Sequence, residues 1–249
     1  MKKVVIITGG GKGIGFGIAT AFAKEGYRLV ITGRTESTLT QAKERLEKEY
    51  KVEVLALVAD GSNEVEVKRA IQQTVETYGR IDVLINNAQA SKSGVMLVDH
   101  TKEDFDLAIM TGLYATFFYM REAFPYLKES KGAVINFASG AGLAGRSGQV
   151  SYAAAKEGIR GLSRVAATEW GAYGINVNVV CPLVETPGLA KWKEDYPELY
   201  EKTIQGVPLG RFGDAEYDVG RVCVFLAGPD ASYLTGETIT LQGGSGLRP

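Results

Sequence analysis

Residues 8–15 read Thr8-Gly9-Gly10-Gly11-Lys12-Gly13-Ile14-Gly15, and they join the apolar run 4–8 to a helical pattern over 14–25. Glycine is needed where a chain turns sharply, where backbone approaches a pyrophosphate, and where a helix packs closely on a strand. The start of the helix also offers free N–H groups to phosphates. The spacing Gly9, Gly13, Gly15 is not G-x-G-x-x-G, so the cluster alone could be only a tight turn. Its place between a strand and a helix favours a dinucleotide site.

Short apolar runs alternate with helical patterns along the whole chain. The predicted strands cover 4–8, 28–32, 53–58, 83–86, 133–138, 176–181 and 238–241, and the predicted helices cover 14–25, 36–50, 63–78, 103–128, 151–173 and 215–227. Strands that are apolar throughout suit a parallel sheet covered on both faces. We therefore expect an α/β fold with a doubly wound parallel sheet of the Rossmann type, in one domain spanning 1–249.

The composition excludes several classes of protein. The 249 residues carry 28 Lys plus Arg against 29 Asp plus Glu, so no basic excess suggests binding to nucleic acid or to an anionic membrane. His100 is the single histidine, which argues against a His-rich metal site and against a Ser-His-Asp triad. We expect no metal.

The two cysteines and the N-terminus bear on localisation. Cys181 and Cys223 lie far apart without metal-ligand spacing; a disulfide could join them, but two reduced, buried thiols are the favoured interpretation. The first apolar run is too short for a signal peptide, and no stretch approaches the ~20 apolar residues of a membrane span. These features predict a cytoplasmic protein.

The end of the second predicted strand indicates which dinucleotide is bound. An acid at this point would hold the ribose 2′-hydroxyl of NAD. The sequence Ile31-Thr32-Gly33-Arg34 has glycine there, followed by a guanidinium that suits a 2′-phosphate. Lys12 could add a second cation. Two solvated surface cations are the alternative, but the pattern favours NADP(H), bound by Gly9, Lys12, Gly13, Ile14, Gly15 and Arg34.

A tyrosine and a lysine lie one helical turn apart in the predicted helix 151–173. Tyr152 and Lys156 share a helix face at i and i+4. A free tyrosine has a pKa of about 10, and the lysine cation and a positively charged oxidised nicotinamide would each lower that pKa and make Tyr152 a usable acid and base. Ser139 follows a predicted strand at the end where open α/β sheets bind ligands, so its hydroxyl could hold the substrate oxygen.

In this order, the motifs Thr8-Gly9-x-x-x-Gly13-Ile14-Gly15, Asn86-Asn87-Ala88, Ser139 and Tyr152-x-x-x-Lys156 resemble the single-domain short-chain dehydrogenase/reductases. The resemblance covers essentially the whole chain. It implies that Ser139, Tyr152 and Lys156 are catalytic, and that Tyr152 and Lys156 also contact the cofactor. Further roles that it implies are an adenine contact for Asp60, a structural role for Asn87, and cofactor contacts for Val184 and Thr186. Family members are often homotetramers, built partly through the helices predicted at 103–128 and 151–173.

The chain departs from the family pattern at three positions. Gln89 and Leu183 stand where the family usually has glycine. Gly112 stands where the family has an asparagine whose main chain holds a water of the proton relay. The stretches around Gln89, Gly112 and Arg211 look like those of bacterial 12α-hydroxysteroid dehydrogenases, which typically use NADP(H).

The resemblance implies a bile acid or a similar steroid as substrate, oxidised at a 12α-hydroxyl. The segment 187–206 is charged and aromatic, and it is expected to form a small helical lid over that substrate. The proposed substrate contacts are Ser139, Tyr152, Leu189, Trp192 and Tyr196, with Tyr200 beside them and Lys191, Lys193 or Lys202 at the rim. Equally, these aromatics could pack the segment onto the body while the lysines are solvated.

Two other classes of function share much of this pattern. A 3-oxoacyl thioester reductase or a general carbonyl reductase would have every catalytic residue and differ only in the pocket. A non-catalytic cofactor-sensing module would not need Ser139, Tyr152 and Lys156 together, so their joint presence argues against it.

Overall fold

The computed structural model describes residues 2–185, 189 and 193–246. Within these described residues, seven strands form one sheet. They are β1 (Val4–Thr8), β2 (Arg28–Gly33), β3 (Val54–Val58), β4 (Val83–Asn86), β5 (Ala133–Phe137), β6 (Asn176–Pro182) and β7 (Thr238–Leu241). All neighbours are parallel, in the order β3-β2-β1-β4-β5-β6-β7. The predicted doubly wound parallel sheet is confirmed, and each predicted strand agrees with the structure to within one residue.

Helices cover both faces of the sheet. They are α1 (Gly13–Lys24), α2 (Glu36–Tyr50), α3 (Glu64–Tyr78), α4 (Lys102–Ala108), α5 (Ala115–Ser130), α6 (Gly140–Ala144), α7 (Val150–Trp170), α8 (Pro197–Gln205) and α9 (Arg221–Leu226). One apolar cluster joins α1, α2 and α9 to the sheet, and a second joins α3, α5 and α7 to its other face. Cys181 and Cys223 are both buried and form no disulfide, as predicted. None of the described helices is long and apolar enough to cross a membrane.

The prediction of one regular helix over 103–128 was wrong. A π-helical turn, Ile109–Tyr114, separates α4 from α5. Within it the Thr111 hydroxyl donates back to the carbonyl of Leu107 at 2.6 Å, a bond that competes with regular helix geometry. A π-turn inserts one residue without breaking the apolar pattern, so periodicity does not reveal it. The predicted helix 215–227 likewise begins with a π-turn, Ala215–Gly220.

The strand order fixes where ligands can bind. From β1 the chain first builds outward to β2 and β3, then returns to place β4 on the other side of β1. In open α/β sheets the crevice at the carboxyl ends of the strands, beside such a reversal, is the usual ligand site. The glycine-rich turn after β1 lies at this point.

Candidate active site

The glycine-rich turn is wound too tightly for side chains. Gly9 has φ +68 and Gly13 has φ +54, both in the left-handed region that glycine adopts without strain. A Cβ on Gly15 would collide with the carbonyl oxygen of Gly9. The backbone amide of Gly9 donates to the carbonyl of Thr32 at 2.8 Å, which ties the turn to the end of β2. The turn therefore presents bare backbone and the N-terminus of α1 to the crevice.

A cleft with a volume of about 520 Å³ runs along this edge of the sheet. Eight of the predicted cofactor residues line it: Gly9, Lys12, Gly13, Ile14, Gly15, Arg34, Asp60 and Asn87. Sequence reasoning missed several other lining residues, among them Asn86, Gln89 and Thr111. No spacing rule identified these three as lining residues, because the segment after β4 and the π-turn are brought together only by the fold.

Asn87 joins the ends of two strands. Its side-chain amide donates to the carbonyl oxygen of Thr8 at 2.9 Å, and its backbone amide donates to the Thr8 hydroxyl at 3.0 Å. The backbone amide of Ala88 donates to the same hydroxyl at 3.0 Å. These three bonds hold the segment after β4 against the start of the glycine-rich turn.

Charged side chains lie at the β2–β3 end of the cleft. Lys12 and Arg34 are exposed, and neither forms an ion pair with another described residue. Burial raises the pKa of Asp60, but two hydrogen bonds from Ser62 and the charge of Arg34 outweigh it, so this pKa lies below its usual value. This end of the cleft thus offers two cations and one carboxylate.

Ser139, Tyr152 and Lys156 meet at the carboxyl end of β5. Ser139 caps α6, a short helix that sequence patterns did not predict, by accepting a hydrogen bond from the amide of Ala141 at 3.1 Å. The phenol of Tyr152 is mostly buried and hydrogen-bonds to Ser139. The ammonium of Lys156 lies 5.5 Å from the centre of the Tyr152 ring and donates to the carbonyl of Phe137 at 2.6 Å.

Burial controls the acidity of this group. It raises the pKa of Tyr152, while the hydrogen bond with Ser139 lowers it, and the net shift is upward. Burial also lowers the pKa of Lys156 to about 8. The expectation of a lowered Tyr152 pKa is therefore not met by the protein alone, because desolvation of the phenol outweighs the hydrogen bond from Ser139.

His100 holds the start of α7, a contact that the sequence did not reveal. Its Nε2 lies 2.8 Å from the hydroxyl of Ser151, the residue before Tyr152, and Ser151 is fully buried. The backbone amide of Gly94 also donates to the carbonyl of Gly148 at 2.8 Å. The loop before α4 is thereby fastened to the N-terminal end of α7.

The remaining predicted residues lie apart from the cleft or outside the described chain. Thr186, Lys191 and Trp192 are not among the described residues. Val184 is buried in the core and pairs with Gly213 in an isolated bridge. Leu189 is half-buried, and Tyr196 is 55% exposed just before α8.

The aromatics of the 187–206 segment are divided between surface and core. Tyr200 is buried, with its ring centre 5.4 Å from that of Phe212. Tyr200 therefore packs the segment onto the body, which agrees with the alternative interpretation for this residue. Across the described residues, no three His, Cys, Asp or Glu side chains are grouped to hold a metal ion.

The sequence profile of the family described as Enoyl-(Acyl carrier protein) reductase matches residues 9–245. The chain belongs to the short-chain dehydrogenase/reductase family. Enzymes of this family use a nicotinamide cofactor. The cleft fits such a cofactor, because the glycine-rich turn and the first residues of α1 line it and can offer backbone N–H groups to phosphates.

Individual relatives extend this comparison. The 12alpha-hydroxysteroid dehydrogenase of Clostridium sp. is 63% identical over 253 residues, covering 99% of this chain and 98% of that protein. A 3-oxoacyl-(acyl-carrier-protein) reductase, FabG, of Chlamydia muridarum is 34% identical over 98% of this chain and 97% of its own length. The crystal structure of levodione reductase matches with a TM-score of 0.92 and 34% identity, covering 98% of this chain and 97% of that one.

Proposed function

We propose that this chain is an NADP(H)-dependent hydroxysteroid dehydrogenase that interconverts the 12α-hydroxyl and 12-oxo groups of bile acids. The observation that carries the proposal is 63% identity to a 12alpha-hydroxysteroid dehydrogenase across 99% of the chain. The 3-oxoacyl-(acyl-carrier-protein) reductase of Chlamydia muridarum is only 34% identical over a similar length. A 3-oxoacyl thioester is therefore the second-ranked substrate.

The proton transfer is assigned to Tyr152. During oxidation the phenolate form of Tyr152 takes the proton of the substrate hydroxyl and becomes the phenol, and during reduction the phenol gives its proton to the developing alkoxide. Ser139 holds the same substrate oxygen by a hydrogen bond, and the bond between Ser139 and Tyr152 supports this assignment. A bound nicotinamide supplies the hydride acceptor for the oxidation and the hydride for the reduction.

Lys156 keeps a positive charge close to the phenol. Its pKa of about 8 leaves most of the ammonium protonated at neutral pH. The bond to the Phe137 carbonyl fixes the ammonium beneath Tyr152, where it favours the phenolate over the phenol. Lys156 also contacts the ribose of the nicotinamide in this proposal.

The proposed preference for NADP(H) rests on Arg34 and Lys12. Both are exposed at the cleft, beside the end of β2, and neither is engaged in an ion pair with a described residue. A 2′-phosphate would take two charge-assisted hydrogen bonds from the guanidinium of Arg34.

Leu189, Trp192 and Tyr196 are the proposed contacts for the steroid, under a lid formed by 187–206. The exposure of Tyr196 and Leu199, at 55% and 52%, supports an apolar surface on the described part of this segment.

We also propose a homotetramer built through α4, α5 and α7. The apolar side chains that these helices leave exposed, including Phe117 and Val165, support it.

The steroid assignment is tested by absorbance at the reduced-cofactor band with purified protein. Deoxycholate, which has a 12α-hydroxyl, is compared with its isomer chenodeoxycholate, which has a 7α-hydroxyl instead, in the presence of NADP⁺ or NAD⁺. We expect reduced cofactor to form with deoxycholate and NADP⁺ only. If deoxycholate is inert while an acetoacetyl thioester is reduced efficiently, the second-ranked function replaces the first. Unchanged turnover in Tyr152→Phe would instead refute the mechanism.

The cofactor assignment is tested by Arg34→Glu. Loss of the charged hydrogen bonds should lower kcat/KM for NADP⁺ by about 10- to 100-fold and leave that for NAD⁺ within a fewfold of its starting value. Lys48→Glu, an exposed charge reversal on α2, serves as the matched control. If Arg34→Glu lowers kcat/KM equally for NADP⁺ and NAD⁺, Arg34 does not bind the 2′-phosphate.

A further inference from the structure

Gln89 carries a buried amide without partners. It follows β4 by three residues and lines the cleft. Its Oε1 and Nε2 are both buried, and neither forms a hydrogen bond with any described residue. Burying an amide in this way is unfavourable unless another group supplies the missing hydrogen bonds. The amide is therefore a candidate binding group.

Gly112 leaves the space that this amide occupies. A Cβ at Gly112 would lie 2.7 Å from Cδ of Gln89 and 2.9 Å from both its Oε1 and its Nε2. Gly112 is buried in the π-turn, and it is not among the described glycines with positive φ. Backbone conformation therefore does not require glycine at this position; the Gln89 amide excludes a side chain there.

The segment that carries Gln89 is fastened to the π-turn. The amide of Ala90 donates to the hydroxyl of Thr111 at 3.0 Å, and the Thr111 oxygen lies 2.9 Å from the carbonyl of Ala90. These bonds hold the backbone beside Gln89 at the π-turn, where its side-chain amide lies against Gly112.

A second unpartnered atom lies at the same end of β4. The side-chain amide nitrogen of Asn86 donates to Asn136 at 2.8 Å, and that of Asn136 donates to Ser163 at 2.8 Å. The Oδ1 of Asn86 is buried and has no partner among the described residues, and Asn86 also lines the cleft. Near the end of β4, the acceptors Gln89 Oε1 and Asn86 Oδ1 and the donor Gln89 Nε2 therefore lack hydrogen-bond partners among the described residues.

We propose that Gln89, in the space left by Gly112, binds a hydroxyl group at the junction of the cleft and the Asn86–Asn136–Ser163 network. A hydroxyl both donates and accepts, so one group can satisfy the Gln89 amide. It belongs either to an ordered water or to a ribose of the bound cofactor. The proposal rests on the proposed function only in treating the cleft as the cofactor site.

The first test removes the amide and keeps its volume. Gln89→Met is compared with the unmodified protein in two measurements: the unfolding midpoint without cofactor, and the Kd of NADPH by fluorescence titration. If the hydroxyl is water, we expect the midpoint to fall by about 2–4 °C and the Kd to stay within twofold. If it is a ribose hydroxyl, we expect the Kd to rise about fivefold with no fall in midpoint. An unchanged Kd together with an unchanged or higher midpoint would overturn the proposal.

The second test removes the side-chain amide from position 89 and places one at position 112 instead. Gly112→Asn should lower the unfolding midpoint, because its Cβ collides with the Gln89 amide. The double variant Gln89→Gly with Gly112→Asn should recover at least half of that loss, since the asparagine amide then enters the vacated space. If Gly112→Asn is equally damaging in the Gln89→Gly background, the pairing is refuted.

The unfolding midpoints and the Kd of NADPH are measured without a steroid. The Gln89 proposal can therefore be wrong while the proposed function is right, and the reverse. Turnover of deoxycholate by the unmodified protein is recorded in parallel. Rescue in the double variant without deoxycholate turnover would reject the steroid assignment and retain the Gln89–Gly112 pair. Deoxycholate turnover without rescue in the double variant would retain the steroid assignment and reject the Gln89–Gly112 pair.

Discussion

Burial moves Tyr152 and Lys156 toward their neutral forms. A tyrosine is neutral when protonated and a lysine is neutral when deprotonated, so the same desolvation raises the pKa of Tyr152 and lowers that of Lys156 to about 8. The site consequently holds a phenol that resists ionisation beside an ammonium that releases its proton more readily than usual. Such a phenol suits the protonation of an alkoxide, whereas oxidation needs its pKa to be held down by partners, of which Ser139 is one.

Ser139→Ala should shift the pH dependence of oxidation. The hydrogen bond from Ser139 lowers the pKa of Tyr152, so its loss raises that pKa and reduces the phenolate fraction at any given pH. We expect the rising limb of kcat for oxidation to move to higher pH, and kcat itself to fall about 10²- to 10³-fold. Profiles from pH 6 to 10 with Ser147→Ala, an exposed serine nearby in sequence, provide the comparison. If the rising limb of the kcat–pH profile stays at the same pH in Ser139→Ala, Ser139 does not lower the pKa of Tyr152.

Lys156→Met should abolish turnover without lowering stability. The folded-state pKa of about 8 lies below the ordinary 10.5, so the unfolded chain binds more protons between these values. The resulting cost, at most about 3 kcal/mol, is fully present below pH 8 and is relieved as the pH rises toward 10.5. Loss of the bond to the Phe137 carbonyl partly offsets this gain.

The measurement is the unfolding midpoint at pH 7, 8, 9 and 10. At pH 7 the midpoint of Lys156→Met should be no lower than that of the unmodified protein, and its advantage should shrink as the pH rises. Lys48→Met, at an exposed lysine, should show no such trend. A midpoint several degrees lower at pH 7 would show that the buried ammonium is net stabilising.

At the scale of elements, strands were more predictable than helices. The strands are short apolar runs, and the central strands β1, β4 and β5 are buried on both faces, which leaves little freedom in their bounds. The π-turns at Ile109–Tyr114 and Ala215–Gly220 were not predicted, because one inserted residue leaves the apolar periodicity nearly intact. The five-residue α6 was missed because its glycines are poor helix formers, and it forms under the cap of Ser139.

The same distinction applies to the site. The glycine-rich turn and Arg34 were predicted from their places after strands, Asp60 was implied by the family resemblance, and all of them line the cleft. Gln89 and His100 were not assigned roles, since their contacts with Gly112 and Ser151 join segments far apart in the chain. Spacing along a sequence carries information about one helix face or one strand end, not about which loops meet.

Close packing of α1 on the π-turn before α9 predicts a paradoxical effect of alanine. A Cβ on Gly17 would lie 2.5 Å from Cβ of Ala215 and 2.6 Å from its carbonyl carbon. Although alanine favours helices, Gly17→Ala should therefore destabilise the protein by about 1–3 kcal/mol, because backbone atoms must move. Chemical denaturation measures the change.

Gly171→Ala is the matched control. Gly171 has helical dihedral angles at the end of α7, and a Cβ there would meet nothing within 4 Å. We expect this variant to gain about 0.5–1 kcal/mol from reduced freedom of the unfolded chain. Equal effects at the two glycines would mean that helix propensity, not interhelical packing, decides the outcome at Gly17.

At the scale of the whole molecule, helices α4, α5 and α7 carry several large apolar side chains that remain exposed in a single chain. Phe117 on α5 and Val165 on α7 remain 37% and 56% exposed, and Phe105, Met110 and Tyr114 add to the same helical layer. Exposed apolar side chains on helices that pack against each other are the kind of surface that an interface between subunits buries. The proposed homotetramer would bury it.

Charge substitution on this surface tests the assembly. The unmodified protein should elute with a mass of about 107 kDa by light scattering, four times the 26.8 kDa chain. Phe117→Glu and Val165→Glu should each shift it toward dimer or monomer, because a carboxylate buried between subunits loses its hydration without gaining a partner. Val65→Glu, which makes the same kind of change at an exposed valine on α3, should leave the mass unaltered. If all three variants stay tetrameric, the subunits meet through other surfaces; if Val65→Glu alone dissociates the protein, α3 forms the interface instead.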